Sequence, residues 1–129
     1  MEFWEAAAPW LFGLAGLVTI SMLQAAVAPQ AVLRTYFGEQ TDSPGLLAIV
    51  RNWGFGIAAC GGLLVAAAFV PDLRVAAAVF AIVTKAAFIA LVLGPGRQAA
   101  QRQAKLAVAF DVVVIAALST WLIARSVTT

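Results

Sequence analysis

A run of 25 residues, 46–70, limits what this chain can fold into more than any other feature. It reads LLAIVRNWGFGIAACGGLLVAAAFV and contains a single charged residue, Arg51. At a rise of about 1.5 Å per residue, a helix of this length crosses a hydrocarbon core of about 30 Å. The alternation typical of a strand is absent, and Ala and Gly dominate. We therefore expect a transmembrane helix.

Three other apolar runs, at about 8–28, 73–93 and 104–124, resemble it. The chain has 129 residues, of which 64% are hydrophobic and 11% charged, which is more apolar surface than a soluble domain of this size buries. The connections are short and contain Pro29, Pro71 and Gly94-Pro95-Gly96. The sequence thus predicts one all-α transmembrane domain over residues 1–129, an up-down bundle of four helices with both termini on one side.

The connection between the first two runs predicts a small element of its own. Residues 31–37 have the pattern of an amphipathic helix at the membrane interface, with Arg34 and Tyr36 near headgroup level. Gly38 is expected to end this helix. Ser43 or Asp42 is expected to cap the next one.

The basic residues favour one orientation. The side of the first and third connections carries four of them, and the side of the termini carries two, Arg74 and Arg125, beside acidic residues. Cytoplasmic loops are enriched in Lys and Arg. We expect a multi-pass protein of a bacterial inner membrane, with the connections cytoplasmic and the termini periplasmic. The four residues on the connection side are Arg34, Arg97, Arg102 and Lys105.

Charged residues on three different helices lie at similar depths below that side. Helical rise places Arg51, Lys85 and Asp111 about 8, 13 and 10 Å deep, and Gln24 and Asn52 lie near the same level. A charge in lipid costs about 2.5–3.5 kcal/mol. These side chains are expected to turn inward, with Asp111 paired to Lys85 or Arg51 and one positive charge left for an anion. The alternative is a purely structural ion pair, with the basic side chains extending to the interface.

Small residues recur every four positions along the second helix, at Gly54, Ala58 and Gly62. Such a row lets two helix backbones approach closely in a membrane. We expect it to pack within the subunit, with a homo-oligomer contact as the alternative.

Several classes of function have little support. The chain has no histidine and one cysteine, Cys60, which removes most metal and haem sites and the usual Cys/His nucleophile pairs. We therefore expect no metal, no cofactor and no catalytic residue. An enzyme using Asp111 as acid or base is the least supported class. The net charge of +2 is too small and dispersed to indicate nucleic-acid binding.

Three segments of the second and third helices, RNWGFGIAACGGLL, VPDLR and TKAAFIALVL, resemble the DoxX-like group of small bacterial four-helix membrane proteins. The resemblance implies a four-helix membrane fold and assigns no catalytic residue.

Two hypotheses of function follow from the charges. In the first, the protein contacts membrane lipids and binds a small amphipathic or anionic ligand, such as a lipid or isoprenoid, or a membrane partner. Arg51 and Lys85 would supply positive charge, and Gln24 and Asn52 hydrogen bonds. In the second, it is a proton-coupled transporter that uses Asp111.

Overall fold

The computed structural model describes residues 2–128, and every regular element among them is helical. Two short 3₁₀ turns also occur: Ser21–Leu23 lies between residues 20 and 24, and Pro71–Leu73 lies directly before residue 74. The helices are α1 (Glu2–Ile20), α2 (Gln24–Val27), α3 (Pro29–Phe37), α4 (Pro44–Phe69), α5 (Arg74–Leu93) and α6 (Arg102–Thr128).

Within residues 2–128, four helical stretches are long and apolar enough to cross a membrane, so the chain is a multi-pass membrane protein. We call them the first to fourth spans: Glu2–Val27, Pro44–Phe69, Pro71–Leu93 and Arg102–Val127. The first span begins well before the predicted residue 8. Glu2 and Glu5 lie in its first turn, where negative charge is favourable beside the positive end of the helix dipole.

The first and second spans run antiparallel and approach each other closely at glycines. A Cβ built on Gly16 would lie 2.7 Å from the carbonyl oxygen of Gly61, and one built on Gly54 would lie 2.7 Å from the Cβ of Ala25. Both distances are shorter than carbon side chains tolerate. The contact therefore depends on the missing side chains of Gly16, Gly54 and Gly61.

The contact within the subunit that we expected for Gly62 is wrong. It lies on the exposed side of α4, and a Cβ there would meet nothing within 4 Å. At about 100° per residue, a position eight residues after Gly54 has rotated about 80° from it, whereas Gly61, seven residues after, is only about 20° away. Ala58 is half-buried and Gly54 buried. The contact face therefore runs from Gly54 to Gly61.

Two apolar clusters fill the bundle, one above the other. The cluster near the termini includes Phe12, Leu64, Leu118 and Trp121, with the rings of Phe12 and Trp121 edge to face at 5.1 Å. The cluster at the opposite end, which we call the loop end, includes Ala25, Val32, Tyr36, Val92, Ala104 and Val108. Buried polar residues lie at the level between the two clusters.

Helix α3 covers the loop end and ends as the sequence predicted. Gly38 adopts a left-handed conformation at φ 65° after Phe37, which costs glycine little. Ser43 caps α4 by accepting a hydrogen bond from the backbone N–H of Leu46 at 3.3 Å. The Tyr36 side chain is buried inside the bundle and does not face the lipid headgroups. The inner face of α3 therefore belongs to the core.

Candidate functional site: a buried ion pair beside a cavity

A buried ion pair joins the third and fourth spans at mid-bundle. Lys85 Nζ lies 2.7 Å from Asp111 Oδ1, and the two residues are 6% and 8% exposed. Nζ also donates to Thr19 Oγ1 at 3.2 Å and lies 5.2 Å from the centre of the Phe110 ring. The ammonium of the third span is therefore held by side chains of the first and fourth spans. Of the two partners expected for Asp111, the structure has Lys85.

The second carboxylate oxygen of Asp111 is not used by the protein. The hydrogen bond from Lys85 goes to Oδ1, and within residues 2–128 no donor reaches Oδ2. Yet no buried side-chain nitrogen or oxygen in the described chain lacks a partner, so Oδ2 must border open space. Asp111 lines a cavity. The Oδ2 atom of the Asp111 carboxylate, a hydrogen-bond acceptor, therefore faces this cavity.

The cavity measures about 240 Å³ and is lined by all four spans and α3. Its volume corresponds to roughly eight water molecules at about 30 Å³ each. Much of the wall is aromatic, and the rings of Trp53 and Phe88 stack at 6.1 Å between centres. The polar side chains concentrate on the first, third and fourth spans: Thr19, Ser21, Gln24, Thr84, Gln103 and the ion pair. The cavity is thus amphipathic.

Only part of the cluster predicted from depth is assembled here. Gln24 lines the cavity together with Lys85 and Asp111. Arg51 does not: its guanidinium donates to the carbonyl oxygen of Ala26 at 2.5 Å. That carbonyl lies in the last turn of α2, where carbonyls lack helical partners and the helix dipole favours a cation.

Asn52 also lies outside the cavity. It lines an adjoining groove between the second and third spans, beside Gly56 and Phe80. The expectation that Arg51 and Asn52 share one pocket with the ion pair is therefore wrong. The spare positive charge predicted for that pocket is absent from it.

Several lining residues were missed from the sequence. Thr19 lies eight residues before Val27, about 12 Å deep by helical rise, so the depth argument used for Lys85 could have found it. Tyr36 and Trp53 gave no such signal. Their rings meet edge to face at 6.3 Å, and the Tyr36 hydroxyl lies 3.1 Å from Met22 Sδ. Burial raises the pKa of Tyr36, and a hydrogen bond with Gln103 partly offsets the rise.

No protein-family model, curated protein or solved structure matches this chain. Within residues 2–128, no three His, Cys, Asp or Glu side chains come together as metal ligands would. The cavity offers a neutralised cation, a carboxylate oxygen open to the cavity, amides and hydroxyls, and aromatic walls. Such a set can hold a molecule that has one polar end.

Proposed function

We propose that the protein binds a small amphipathic molecule of the membrane, a lipid or an isoprenoid. The polar end lies at the Lys85–Asp111 pair and the apolar part against Trp53 and Phe88. The observation that carries this proposal is the open carboxylate oxygen of Asp111 in an otherwise largely apolar cavity. Ligand sites generally combine apolar walls with a few convergent polar groups.

The cavity is large enough to enclose only part of a long-chain ligand. Its volume of about 240 Å³ is below the range of about 300–1,000 Å³ that encloses a drug-sized molecule. A long-chain ligand therefore has its polar end inside and the rest of its chain in contact with lipid.

Binding tests the proposal directly. The protein in detergent is heated with and without a panel of long-chain lipids and isoprenoids, because a ligand that binds only the folded state raises the unfolding temperature. We expect stabilisation of the wild type and of the exposed-site control Asp72→Asn, and none for the double variant Lys85→Met/Asp111→Asn. Equal stabilisation of all three proteins would refute binding at this site.

A second candidate, proton-coupled transport, is favoured by one observation. Asp111 is a carboxylate buried at mid-span with an oxygen open to a cavity, and intramembrane carboxylates often carry protons in transporters. Uptake into liposomes driven by a pH gradient, and lost in Asp111→Asn, would favour transport. Binding without gradient-driven uptake would favour the first function.

We also propose the up-down topology and the location. The second and third connections are short, and the antiparallel first pair fits an up-down four-helix bundle of the DoxX-like kind. The excess of basic residues at the loop end supports a bacterial inner membrane with periplasmic termini. A homo-oligomer or a larger membrane partner is compatible with this arrangement.

A further inference from the structure

We infer that the ligand is a neutral long-chain alcohol, and that it enters sideways from the lipid through a gap between the first and fourth spans. This inference rests on the proposed binding function and adds the chemistry of the polar end and the route. It follows from where the cavity is open, how deep it lies and which hydrogen-bonding groups are free.

The exposed residues that line the cavity lie on two spans only. Val18 is 49% exposed and Leu106 is 52% exposed, and the other exposed lining residues, Ser21, Gln24 and Gln103, also belong to the first and fourth spans. The lining residues of the second and third spans are buried or half-buried: Trp53, Ile57, Cys60, Thr84, Lys85 and Phe88. The cavity therefore opens between the first and fourth spans.

Contacts above and below frame this gap. Towards the termini the two spans meet where Phe12 packs on Trp121. At the loop end, α3 bounds the gap. The carbonyl oxygen of Tyr36 on α3 accepts a hydrogen bond from the backbone N–H of Gln101, just before the fourth span, at 2.7 Å. Between these contacts, α1 ends and a 3₁₀ turn begins at Ser21. The opening is thus a side window in the bundle.

The window lies at the depth of the lipid chains. Leu106 is four residues inside the fourth span and Val18 nine residues inside the first, which places them about 6 and 14 Å below the loop-end boundary. Asp111 lies at about the same depth as Val18. A ligand whose polar end reaches Asp111 must bring that end well below the headgroups, which is costly for a charged group such as a phosphate.

The hydrogen-bonding group of the ion pair that is left free favours a ligand whose polar end donates a hydrogen bond. The charges of Lys85 and Asp111 cancel, so the ion pair carries no net charge. Two of the three N–H donors of Lys85 are used by Asp111 and Thr19, the ammonium lies over the Phe110 ring, and the open Asp111 Oδ2 can only accept. An anionic head would meet this carboxylate, and a cationic head would meet the ammonium. An ether or ester would leave Oδ2 without a donor. A hydroxyl donates to Oδ2 and keeps the pair neutral.

The test uses tritiated farnesol as the probe and the protein in lipid nanodiscs, with bound label measured by scintillation proximity. Competitors share the same chain and differ only in the head: farnesol, farnesyl methyl ether, farnesoic acid and farnesylamine. Val18→Trp and Leu106→Trp fill the window. Val113→Trp is the matched control, since Val113 is 66% exposed on the fourth span and does not line the cavity.

We expect farnesol to compete at least about tenfold better than the other heads, a difference of about 1.4 kcal/mol. Each window variant should slow association of the label by at least about tenfold, equivalent to about 1.4 kcal/mol in the barrier, and Val113→Trp should leave it unchanged. Stronger competition by the acid, ether or amine would overturn the alcohol assignment. Unchanged association in both window variants would overturn the route. Either result leaves the binding function standing, whereas label that binds the wild type no better than Lys85→Met/Asp111→Asn would overturn the function as well.

Discussion

Replacing Lys85 with methionine should destabilise the protein more than replacing Asp111 with asparagine. Lys85→Met removes the donor that neutralises Asp111, and stranding one member of a buried pair costs about 3–5 kcal/mol. Because Oδ2 borders the cavity, we expect the lower end of that range. Asp111→Asn leaves an amide oxygen and Thr19 as acceptors for the ammonium. Its cost should be about 1.5–3 kcal/mol, the value of a hydrogen bond to a charged group.

The double variant distinguishes pairing from two independent effects. With both charges gone, neither partner is stranded, so Lys85→Met/Asp111→Asn should cost less than the two single changes added together. The coupling energy should be about 0.5–3 kcal/mol, as for residues in direct contact. Equilibrium unfolding in mixed micelles, followed by tryptophan fluorescence, gives the free energies.

The same substitutions at exposed charges provide the control. Lys105→Met and Asp72→Asn change residues that are exposed and lie outside the cavity, and each should stay within about 0.5 kcal/mol of the wild type. If the double variant cost the full sum of its single variants, the ion pair would have no energetic role. Single variants no more damaging than the controls would refute the reasoning as a whole.

Three further predictions concern packing, protonation and orientation. Gly61→Leu should cost about 1–3 kcal/mol or more, since a Cβ there would lie 2.6 Å from a backbone nitrogen of the first span, while Gly62→Leu should be nearly neutral; equal unfolding free energies would contradict the packing face. Tyr36, the only tyrosine of the chain, should titrate above its ordinary pKa of 10.0 in absorbance at alkaline pH, and its contribution to stability, complete below pH 10, should be lost as pH rises through the higher folded value; a midpoint at or below 10 would contradict its burial. A cysteine replacing Gln98, with Cys60 removed, should resist an impermeant reagent in intact cells, and labelling there would reverse the proposed orientation.

The sequence predicts the spans well because their determinants are local. Length and hydropathy mark the four apolar stretches, while Pro29, Gly38 and Ser43 mark boundaries that the structure places within one or two residues. The level of Lys85 and Asp111 also follows from counting residues along two helices. Depth is therefore readable from sequence.

The direction in which a side chain points was harder to predict. In a soluble protein the polar face of a helix shows which side turns outward, but lipid is as apolar as the core, so this contrast is absent here. Gly61 and Gly62 look equivalent in sequence, and only the contact with the first span distinguishes them. Arg51 donates to the carbonyl oxygen of Ala26, which has no helical partner because α2 ends there. No pattern of residue types predicts this backbone partner. The aromatic walls contributed by Tyr36 and Trp53 depend on how α3 folds back over the bundle.

An experimental structure of the protein in native lipid tests the central claim most directly. We predict elongated density in the window between the first and fourth spans, with one end within hydrogen-bonding distance of Asp111 Oδ2 and the rest leading out past Leu106. A cavity that holds only ordered water around the Lys85–Asp111 pair, with no elongated density in the window, would contradict the claim that this is a ligand site.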